Sequence, residues 1–290
     1  MNVVSRRTLL AGAAAAAGTI LYPSPSRALQ DDRKLVKIGR LKQSVCRWCY
    51  GKIPDEVFFK AVVEMGLTAV DLLPPKQWES VRDLGLVCSM GSGMGGSRIP
   101  DGLNDKNNHD AILKGIEENV ERAAKAGVPN MIAFFGNRKG KSDEEAIDNC
   151  VLGLNRIKPL METHKVTLCV ELLNSKVDHK DYQGDRSWFA WKIIKAVGSP
   201  YVKVLYDIYH MQIMEGDVIR TIRENIDSIA HFHTGGVPGR HELDDTQELQ
   251  WRSVARAIAD KGYKGFMAHE FIPTRDPLTS LREAVALCDV

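Results

Sequence analysis

The sequence has almost no surplus of charge of either sign. Its 290 residues include 39 lysines and arginines against 37 aspartates and glutamates, which gives a formal net charge of +2. This balance gives no electrostatic support for nucleic-acid binding, because proteins that bind nucleic acids usually carry a basic patch or a basic surplus. We therefore expect no nucleic-acid partner.

Cysteine is also scarce, with six residues in a chain of this length. Their scattered positions do not indicate a disulfide framework, and a chain this long can build a core without one. Cys46 and Cys49 form a C-x-x-C pair, but the pair follows a predicted strand. It does not open a helix, whose N-terminus would lower the thiol pKa. The sequence therefore does not favour a redox function.

Two phosphate-binding motifs are missing. No G-x-G-x-x-G follows the first predicted strand, which argues against a dinucleotide-binding fold, and the sequence contains no G-x-x-x-x-G-K-[ST]. Glycines are concentrated over 91–96, after the third predicted strand. We interpret this stretch as an active-site loop and not as a phosphate cradle.

The first 30 residues differ from the rest of the chain. Arg6 and Arg7 precede an apolar, alanine-rich stretch over 9–21, and small residues and prolines follow up to Ala28. This order is typical of an export signal, and the paired arginines resemble the twin-arginine type. A lone transmembrane anchor is the alternative, but it would need a longer apolar run. We expect cleavage after Ala28, a single catalytic domain over 29–290, a periplasmic or secreted location and no stable membrane insertion.

From residue 35 onwards, short apolar stretches alternate with amphipathic ones. Strands are predicted at 41–46, 68–72, 86–90, 130–135, 167–172, 202–207, 228–233 and 265–271, and helices at 55–65, 75–84, 108–126, 142–164, 185–197, 217–225, 248–261 and 277–288. Such alternation implies a parallel sheet. Eight repeats in this length favour an α/β fold closed into a (β/α)8 TIM barrel.

Four consecutive strands of this barrel end in side chains that can bind a metal ion. These are Glu171, Asp207, His233 and Glu270. The active site of such a barrel lies at the carboxyl ends of its strands, and side chains alternate between the two faces of a strand. One inward-facing set can therefore place all four residues around a common point. Each residue alone is more simply explained as a solvated loop residue or a helix cap.

Three carboxylates and one imidazole that converge without a counter-charge would repel one another. One divalent cation would compensate all four groups. Three oxygen ligands and one nitrogen suit Mn²⁺ or Mg²⁺ better than a structural zinc ion, although Co²⁺ and Zn²⁺ are also compatible. His231 lies on the same strand face as His233, and we expect it to pack beneath the site.

Four segments of the sequence resemble the hydroxypyruvate isomerase family. That family belongs to the xylose isomerase-like barrels, together with the ketose 3-epimerases and endonuclease IV. The segments are Val170-Glu171-Leu172-Leu173-Asn174, Tyr206-Asp207-Ile208-Tyr209-His210-Met211-Gln212, Val237-Pro238-Gly239-Arg240-His241-Glu242 and His269-Glu270-Phe271. The D-x-x-H-M-Q and P-G-R-H-E parts are the most specific, and the layout is similar over residues 36–288.

The resemblance implies the same four metal ligands, and it implies that His210 and Arg240 hold substrate oxygens. We expect Glu171 and Glu270 to flank the substrate as an acid–base pair that moves a proton between neighbouring carbons. The forked guanidinium of Arg240 suits a substrate carboxylate or hydroxyl. Trp48, which follows the first strand, either lines the substrate pocket or packs at the barrel rim.

The sequence departs from the epimerases of this superfamily at one place. They carry a second glutamate a few residues after the asparagine of the fifth strand, whereas the stretch 175–178 of this chain contains none. His233 also leaves the substrate open, because the third metal ligand is glutamine in some hydroxypyruvate isomerases and histidine in the epimerases.

The expected function is therefore a metal-dependent isomerase of the aldose–ketose type, which acts on a small hydroxy-carbonyl compound through an enediolate. The first alternative is an epimerase or lyase that acts on a sugar or oxidised sugar, which an exported enzyme would meet more readily. A nuclease is disfavoured, because strands two and three end near Asp71 and Met90 without a histidine. A barrel that only binds sugar is the last alternative. A homo-oligomer is compatible with all of these.

Overall fold

The computed structural model describes residues 34–93 and 96–290 of the chain. The predicted export signal lies outside these residues and stays a prediction. Within the described residues, no helix combines the length and the apolar character that are needed to cross a membrane.

Parallel strands form the centre of the fold. In chain order the eight described strands are β1 (Lys42–Val45), β2 (Ala69–Val70), β3 (Val87–Cys88), β4 (Asn130–Phe134), β5 (Thr167–Glu171), β6 (Val202–Asp207), β7 (Ile229–Thr234) and β8 (Phe266–His269). Six of them pair in the order β1-β8-β7-β6-β5-β4, and β2 pairs with β3. Isolated bridges from Cys46 to Asp71 and from Gly91 to Met131 join the two sheets at both edges. The strands therefore form a closed ring, and the predicted (β/α)8 barrel is confirmed.

Helices cover the outer face of this ring. The α-helices of the described residues are α1 (Asp55–Glu64), α2 (His109–Glu117), α3 (Val120–Ala126), α4 (Asp143–His164), α5 (Ser187–Val197), α6 (Ile208–Met214), α7 (Val218–Asn225), α8 (Trp251–Asp260) and α9 (Pro277–Cys288). Ser142 caps α4 as predicted, since its hydroxyl accepts a hydrogen bond from the amide of Glu145 at 3.1 Å. Strands such as β6 are buried along almost their whole length, as expected when helices cover a parallel sheet.

Two predicted helices are wrong in detail. The helix expected over 108–126 is divided between α2 and α3, where the side chain of Asn119 donates to the carbonyl of Gly115 at 2.9 Å and competes with helical bonding. The helix expected over 75–84 is reduced to two 3-10 turns. Pro74 and Pro75 cannot donate backbone hydrogen bonds, and Gly85 ends the segment in the left-handed region.

Helix α6 was missed entirely by the sequence analysis. It begins directly after β6, where the carboxylate of Asp207 accepts a hydrogen bond from the amide of His210 at 3.1 Å and caps the helix. Five of its seven residues are buried, so it lacks the one-sided apolar pattern that identifies a surface helix. Its position fixes the side chains of Tyr209 and His210 at the carboxyl end of the barrel.

Candidate active site

The four predicted metal ligands meet at the carboxyl end of the barrel. Glu171 and Asp207 end β5 and β6, His233 lies on β7 opposite Asp207, and Glu270 follows β8 directly. Each offers one ligand atom, and these four atoms all lie within 4.8 Å of one another. All four side chains are buried. The parity of the strands therefore brings together the residues that the sequence analysis singled out.

The imidazole of His233 lies at the centre of this group. Its Nδ1 lies 2.6 Å from Glu270 Oε2, 3.2 Å from Glu171 Oε1 and 3.8 Å from Asp207 Oδ2. The Nδ1 atom and the three carboxylates thus face one small volume. Three oxygens and one nitrogen in this arrangement are a donor set that could hold a divalent cation.

Arg240 neutralises part of this negative charge. Its Nη2 lies 2.5 Å from Asp207 Oδ2 and also contacts Glu270 Oε2, while its Nε donates to the backbone carbonyl of Glu270 at 3.0 Å. The guanidinium packs over the ring of Tyr209, with 4.9 Å to the ring centroid. Although burial alone would lower the pKa of Arg240, Asp207 and Glu270 raise it well above its ordinary value. The side chain therefore stays charged.

The carboxylates of the site differ in their affinity for protons. Burial raises the pKa of Glu171 to about 7, and it also raises the pKa of Asp207. Burial acts in the same direction on Glu270, but the positive charges of Arg240 and His233 outweigh it and lower the pKa of Glu270 to about 2. Carboxylates whose pKa values differ in this way can take different roles in proton transfer.

His210, which the sequence analysis predicted to bind substrate, lies beside Arg240. Its Nε2 lies 2.6 Å from Arg240 Nη1, and its Nδ1 lies 2.6 Å from the side-chain nitrogen of Asn174. The oxygen of the Asn174 amide already accepts from the backbone amides of Val177 and Asp178, which fixes its orientation. Burial, followed by the charge of Arg240, lowers the pKa of His210 well below its ordinary value. The imidazole is therefore neutral.

Trp48 lies at the entrance of the site. Its indole Nε1 donates to Glu270 Oε1 at 2.6 Å, while half of its side chain stays exposed. Of the two positions considered for Trp48, the structure has the one in the pocket lining.

A cavity of about 530 Å³ opens above the four central residues. Its polar side contains Glu171, Glu270, Arg240 and His210. The apolar part of the lining includes Leu72, Ile99, Ile132, Phe134 and Leu173. Ser92 and Gly93 also line the cavity, so the glycine-rich stretch after β3 does reach the site.

Two titratable residues of this lining were missed by the sequence analysis. Asp178 and His179 reach the cavity from the loop after β5. The stretch 175–178 lacks a glutamate but still contributes a carboxylate, whose Oδ2 accepts from Tyr209 Oη at 2.9 Å and from Asn174 Nδ2 at 2.6 Å. The one sequence signal was an acidic residue four positions after Asn174, too common in loops to be informative.

Asp71 is a further residue that the sequence analysis did not place in the site. It is fully buried, and its Oδ2 lies 2.9 Å from His233 Nε2. Its only sequence signal was an acidic side chain that follows the apolar β2. Although burial alone would raise the pKa of Asp71, the neighbouring His231 and His233 hold it below its ordinary value. His231 lies beneath the site, as predicted, with its Nε2 3.1 Å from Asp71 Oδ1.

Neither cysteine of the C-x-x-C pair has the properties of a redox thiol. Both are free, and burial raises the pKa of Cys46 and Cys49 well above the ordinary value, so each stays a thiol at neutral pH. Cys46 packs against the site, 3.9 Å from His233 Nε2.

Glu242 holds the loop that carries Arg240. Its carboxylate accepts hydrogen bonds from the amide and hydroxyl of Thr274, at 2.8 and 2.9 Å, and from the hydroxyl of Ser280 at 2.9 Å. The loop is also joined to the segment after β8 by a bond of 2.7 Å from the amide of Ile272 to the carbonyl of Arg240. Glu242 thus connects the two loops that flank the site to each other.

Replacing Glu242 by glutamine is expected to lower the stability at neutral pH by at most about 3 kcal/mol. Burial alone would raise the pKa of Glu242, but its hydrogen bonds lower the value to about 2 from an ordinary value of 4.5. A depressed carboxyl pKa contributes stability that is fully present above pH 4.5 and is lost as the pH falls towards 2. Urea unfolding should therefore show a difference between wild type and Glu242→Gln that shrinks between pH 7 and pH 3. A difference independent of pH would contradict this account.

Known proteins are similar to this chain over most of its length. The chain matches the family model described as xylose isomerase-like TIM barrel over residues 59–289. A putative hydroxypyruvate isomerase from Homo sapiens is 26% identical over 239 residues, which cover 81% of this chain and 80% of the human protein.

Solved structures show the same fold. An AP endonuclease of family 2 from Brucella melitensis superposes with a TM-score of 0.74 at 21% identity, covering 83% of this chain and 97% of that chain. The 3-keto-D-glucoside 4-epimerase from Escherichia coli superposes with a TM-score of 0.71 at 18% identity, covering 86% of this chain and 98% of that chain. At these identities the similarity concerns the fold alone.

Proposed function

The chain belongs to the xylose isomerase-like TIM barrel family, and from this premise we propose that it is a metal-dependent isomerase of a small hydroxy-carbonyl compound. An enzyme of this family was predicted from the sequence, and the similarity to a putative hydroxypyruvate isomerase confirms that prediction. The proposed metal dependence and isomerase activity rest on one observation. One ligand atom from each of Glu171, Asp207, His233 and Glu270 lies within 4.8 Å of the other three.

The residues present fit a divalent cation. Three buried carboxylates lie close to the guanidinium of Arg240, and His233 turns an Nδ1 atom towards their oxygens. Buried carboxylates need a counter-charge, and a bound divalent ion would supply it here. Glu171, Asp207, His233 and Glu270 would hold the ion. When bound, it would polarise the substrate carbonyl and stabilise the negative charge that develops on the oxygen.

The protein groups around the cavity account for the proton transfer. Glu171, whose pKa burial raises to about 7, can accept a proton from a substrate carbon at neutral pH and release it again. Glu270 is its partner: it receives a proton from the solvent during the reaction and passes it to the neighbouring carbon, and Trp48 orients it by donating to Oε1. Arg240 and the neutral His210 lie side by side at the same wall, where they would hold substrate oxygens.

The size of the cavity favours a second candidate, an epimerase or lyase that acts on a keto sugar. A volume of about 530 Å³ is much larger than a three-carbon acid requires and falls in the range of pockets for larger ligands. Trp48 and Phe134 also offer aromatic faces on which a sugar ring can pack. The predicted export signal supports the same candidate, because an exported enzyme meets sugars outside the cytoplasm.

One experiment tests both candidates. The protein is purified without chelator, its metal content is measured, and hydroxypyruvate, ketohexoses and 3-keto-glucosides are incubated with it in D2O. We expect one divalent ion per chain and deuterium at the carbon next to the carbonyl, detected by NMR. An isomerised product supports the first candidate, and an inverted or cleaved sugar supports the second. Binding without deuterium incorporation for any of these compounds would contradict both and indicate a sugar-binding barrel.

A further inference from the structure

We propose that Asp71 is a positioning residue that fixes the imidazole of His233 with Nδ1 directed into the four-ligand cluster. The inference rests on the proposed metal site. His233 Nδ1 faces Glu171 and Glu270, and His233 Nε2 lies 2.9 Å from Asp71 Oδ2 on the opposite side of the ring. The two ring nitrogens therefore have separate partners, and only one of them faces the cluster.

The carboxylate of Asp71 is itself held from several directions. Its Oδ1 accepts a hydrogen bond from Ser89 Oγ and lies 3.1 Å from His231 Nε2. Its backbone amide donates to the carbonyl of Val45 at 2.8 Å, within the bridge that joins β1 to β2. Its Oδ2 faces His233 Nε2 and also accepts a longer hydrogen bond, of 3.4 Å, from Cys46 Sγ. Because Asp71 is fully buried, water cannot replace it as the acceptor without a rearrangement of the barrel interior.

The contact between Asp71 and His233 determines which nitrogen of the imidazole can bind a metal ion. A neutral histidine carries one N–H and one lone pair, and a metal ion needs the lone pair. A carboxylate accepts hydrogen bonds and cannot donate them when ionised, so Asp71 requires the N–H at Nε2. The lone pair is then left at Nδ1, where the other three ligand atoms are. Carboxylate partners of this kind typically contribute 10- to 100-fold to metal affinity.

Asp71 and His233 also belong to a second possible group of metal ligands. Cys46, Asp71 and His233 place ligand atoms within 4.8 Å of one another and could hold an ion on the far side of the imidazole. A neutral imidazole has only one lone pair, so His233 cannot serve an ion on each side. The geometry therefore favours Asp71 as the hydrogen-bond partner of the ring.

The test measures the Kd of Mn²⁺ alone by calorimetric titration in four proteins. These are the wild type, Asp71→Asn, His233→Gln and the double variant. Asp71→Asn is expected to weaken Mn²⁺ binding 10- to 100-fold in the wild-type background, because an asparagine amide can rotate and donate to Nε2. In the His233→Gln background the effect should be several-fold smaller, because an amide ligand has no tautomer to fix.

The second background separates two effects of the substitution. Removing one negative charge near the ion weakens binding in both backgrounds, whereas the orientation of a histidine matters only in the first. Asp185→Asn is the matched control. Asp185 is also a buried carboxylate, which accepts from Ser175 Oγ at 2.5 Å and pairs with Arg138 at 3.1 Å, and its loss should leave the Kd unchanged.

Several outcomes would overturn the inference. An equal loss of affinity in both backgrounds would mean that Asp71 acts only through its negative charge. Two Mn²⁺ ions per wild-type chain would mean that Asp71 is itself a metal ligand. If Asp71→Asn does not fold, Ser89→Ala replaces it. This variant removes the hydrogen bond to Asp71 Oδ1 together with the bond of 3.0 Å between Ser89 Oγ and Ser44 Oγ, and it should weaken Mn²⁺ binding about 3-fold. An unchanged Kd would refute the proposal. A wild type that binds no Mn²⁺ would instead refute the proposed function.

Discussion

Replacement of Glu171 by glutamine is expected to lower kcat by roughly 1,000-fold at saturating metal, because general acid–base catalysis typically contributes 10²–10⁴. Glutamine keeps the shape and one ligand oxygen of the glutamate but cannot accept a proton. The measurement is the rate at which the substrate carbon exchanges its proton for deuterium from the solvent. In Glu171→Gln this exchange should be lost together with product formation.

Two further variants separate proton transfer from metal binding. Asp207→Asn weakens a predicted ligand that is not assigned to proton transfer, so excess Mn²⁺ should restore much of its activity. Glu270→Gln should slow product formation more than the exchange of the first proton, since Glu171 is intact. Full recovery of Glu171→Gln by excess Mn²⁺ would contradict the role of Glu171 as the base and leave it as a ligand only.

The sequence predicted the four central residues for a physical reason. In a parallel barrel all strands end on one face, and the side-chain period of two fixes which residue of each strand points inward. Glu171, Asp207 and His233 could be assigned from their strands alone, and Glu270 from the residue that follows β8. The alternation of apolar strands with amphipathic helices is a clear pattern, and it locates the end of each strand in the sequence. The barrel and its central cluster can therefore be predicted from local patterns in the amino-acid sequence.

The remaining residues of the site depend on contacts that have no local pattern. Asp71 follows a strand of only two residues, and its role depends on a histidine 162 positions away. Asp178 enters the cavity because Asn174 and Tyr209 hold the loop after β5, which the periodicity of the strand cannot show. The buried helix α6 was missed for a related reason, since it is apolar on most of its surface. Tertiary contacts decide these cases, and a single sequence contains little information on them.

Replacement of Arg240 by methionine is expected to destabilise the metal-free protein by about 3–5 kcal/mol, because it leaves buried carboxylates without their partner. Arg240 contacts both Asp207 and Glu270 inside the barrel and is largely buried with them. For a chain of this size the loss corresponds to a decrease in Tm of roughly 10 °C. Methionine fills a volume similar to that of the arginine side chain, so the decrease in Tm is caused mainly by the loss of the positive charge.

The metal-loaded protein should respond differently to Arg240→Met. A divalent cation bound by Asp207 and Glu270 would compensate the same carboxylates, so the decrease in Tm should be at most half as large in saturating Mn²⁺. Arg138→Met is the matched control, because Arg138 pairs with Asp143 and Asp185 away from the cluster. Its effect on Tm should be the same with and without Mn²⁺. If Arg240→Met also lowers the Tm equally in both states, the guanidinium and the ion do not share the charge of these carboxylates.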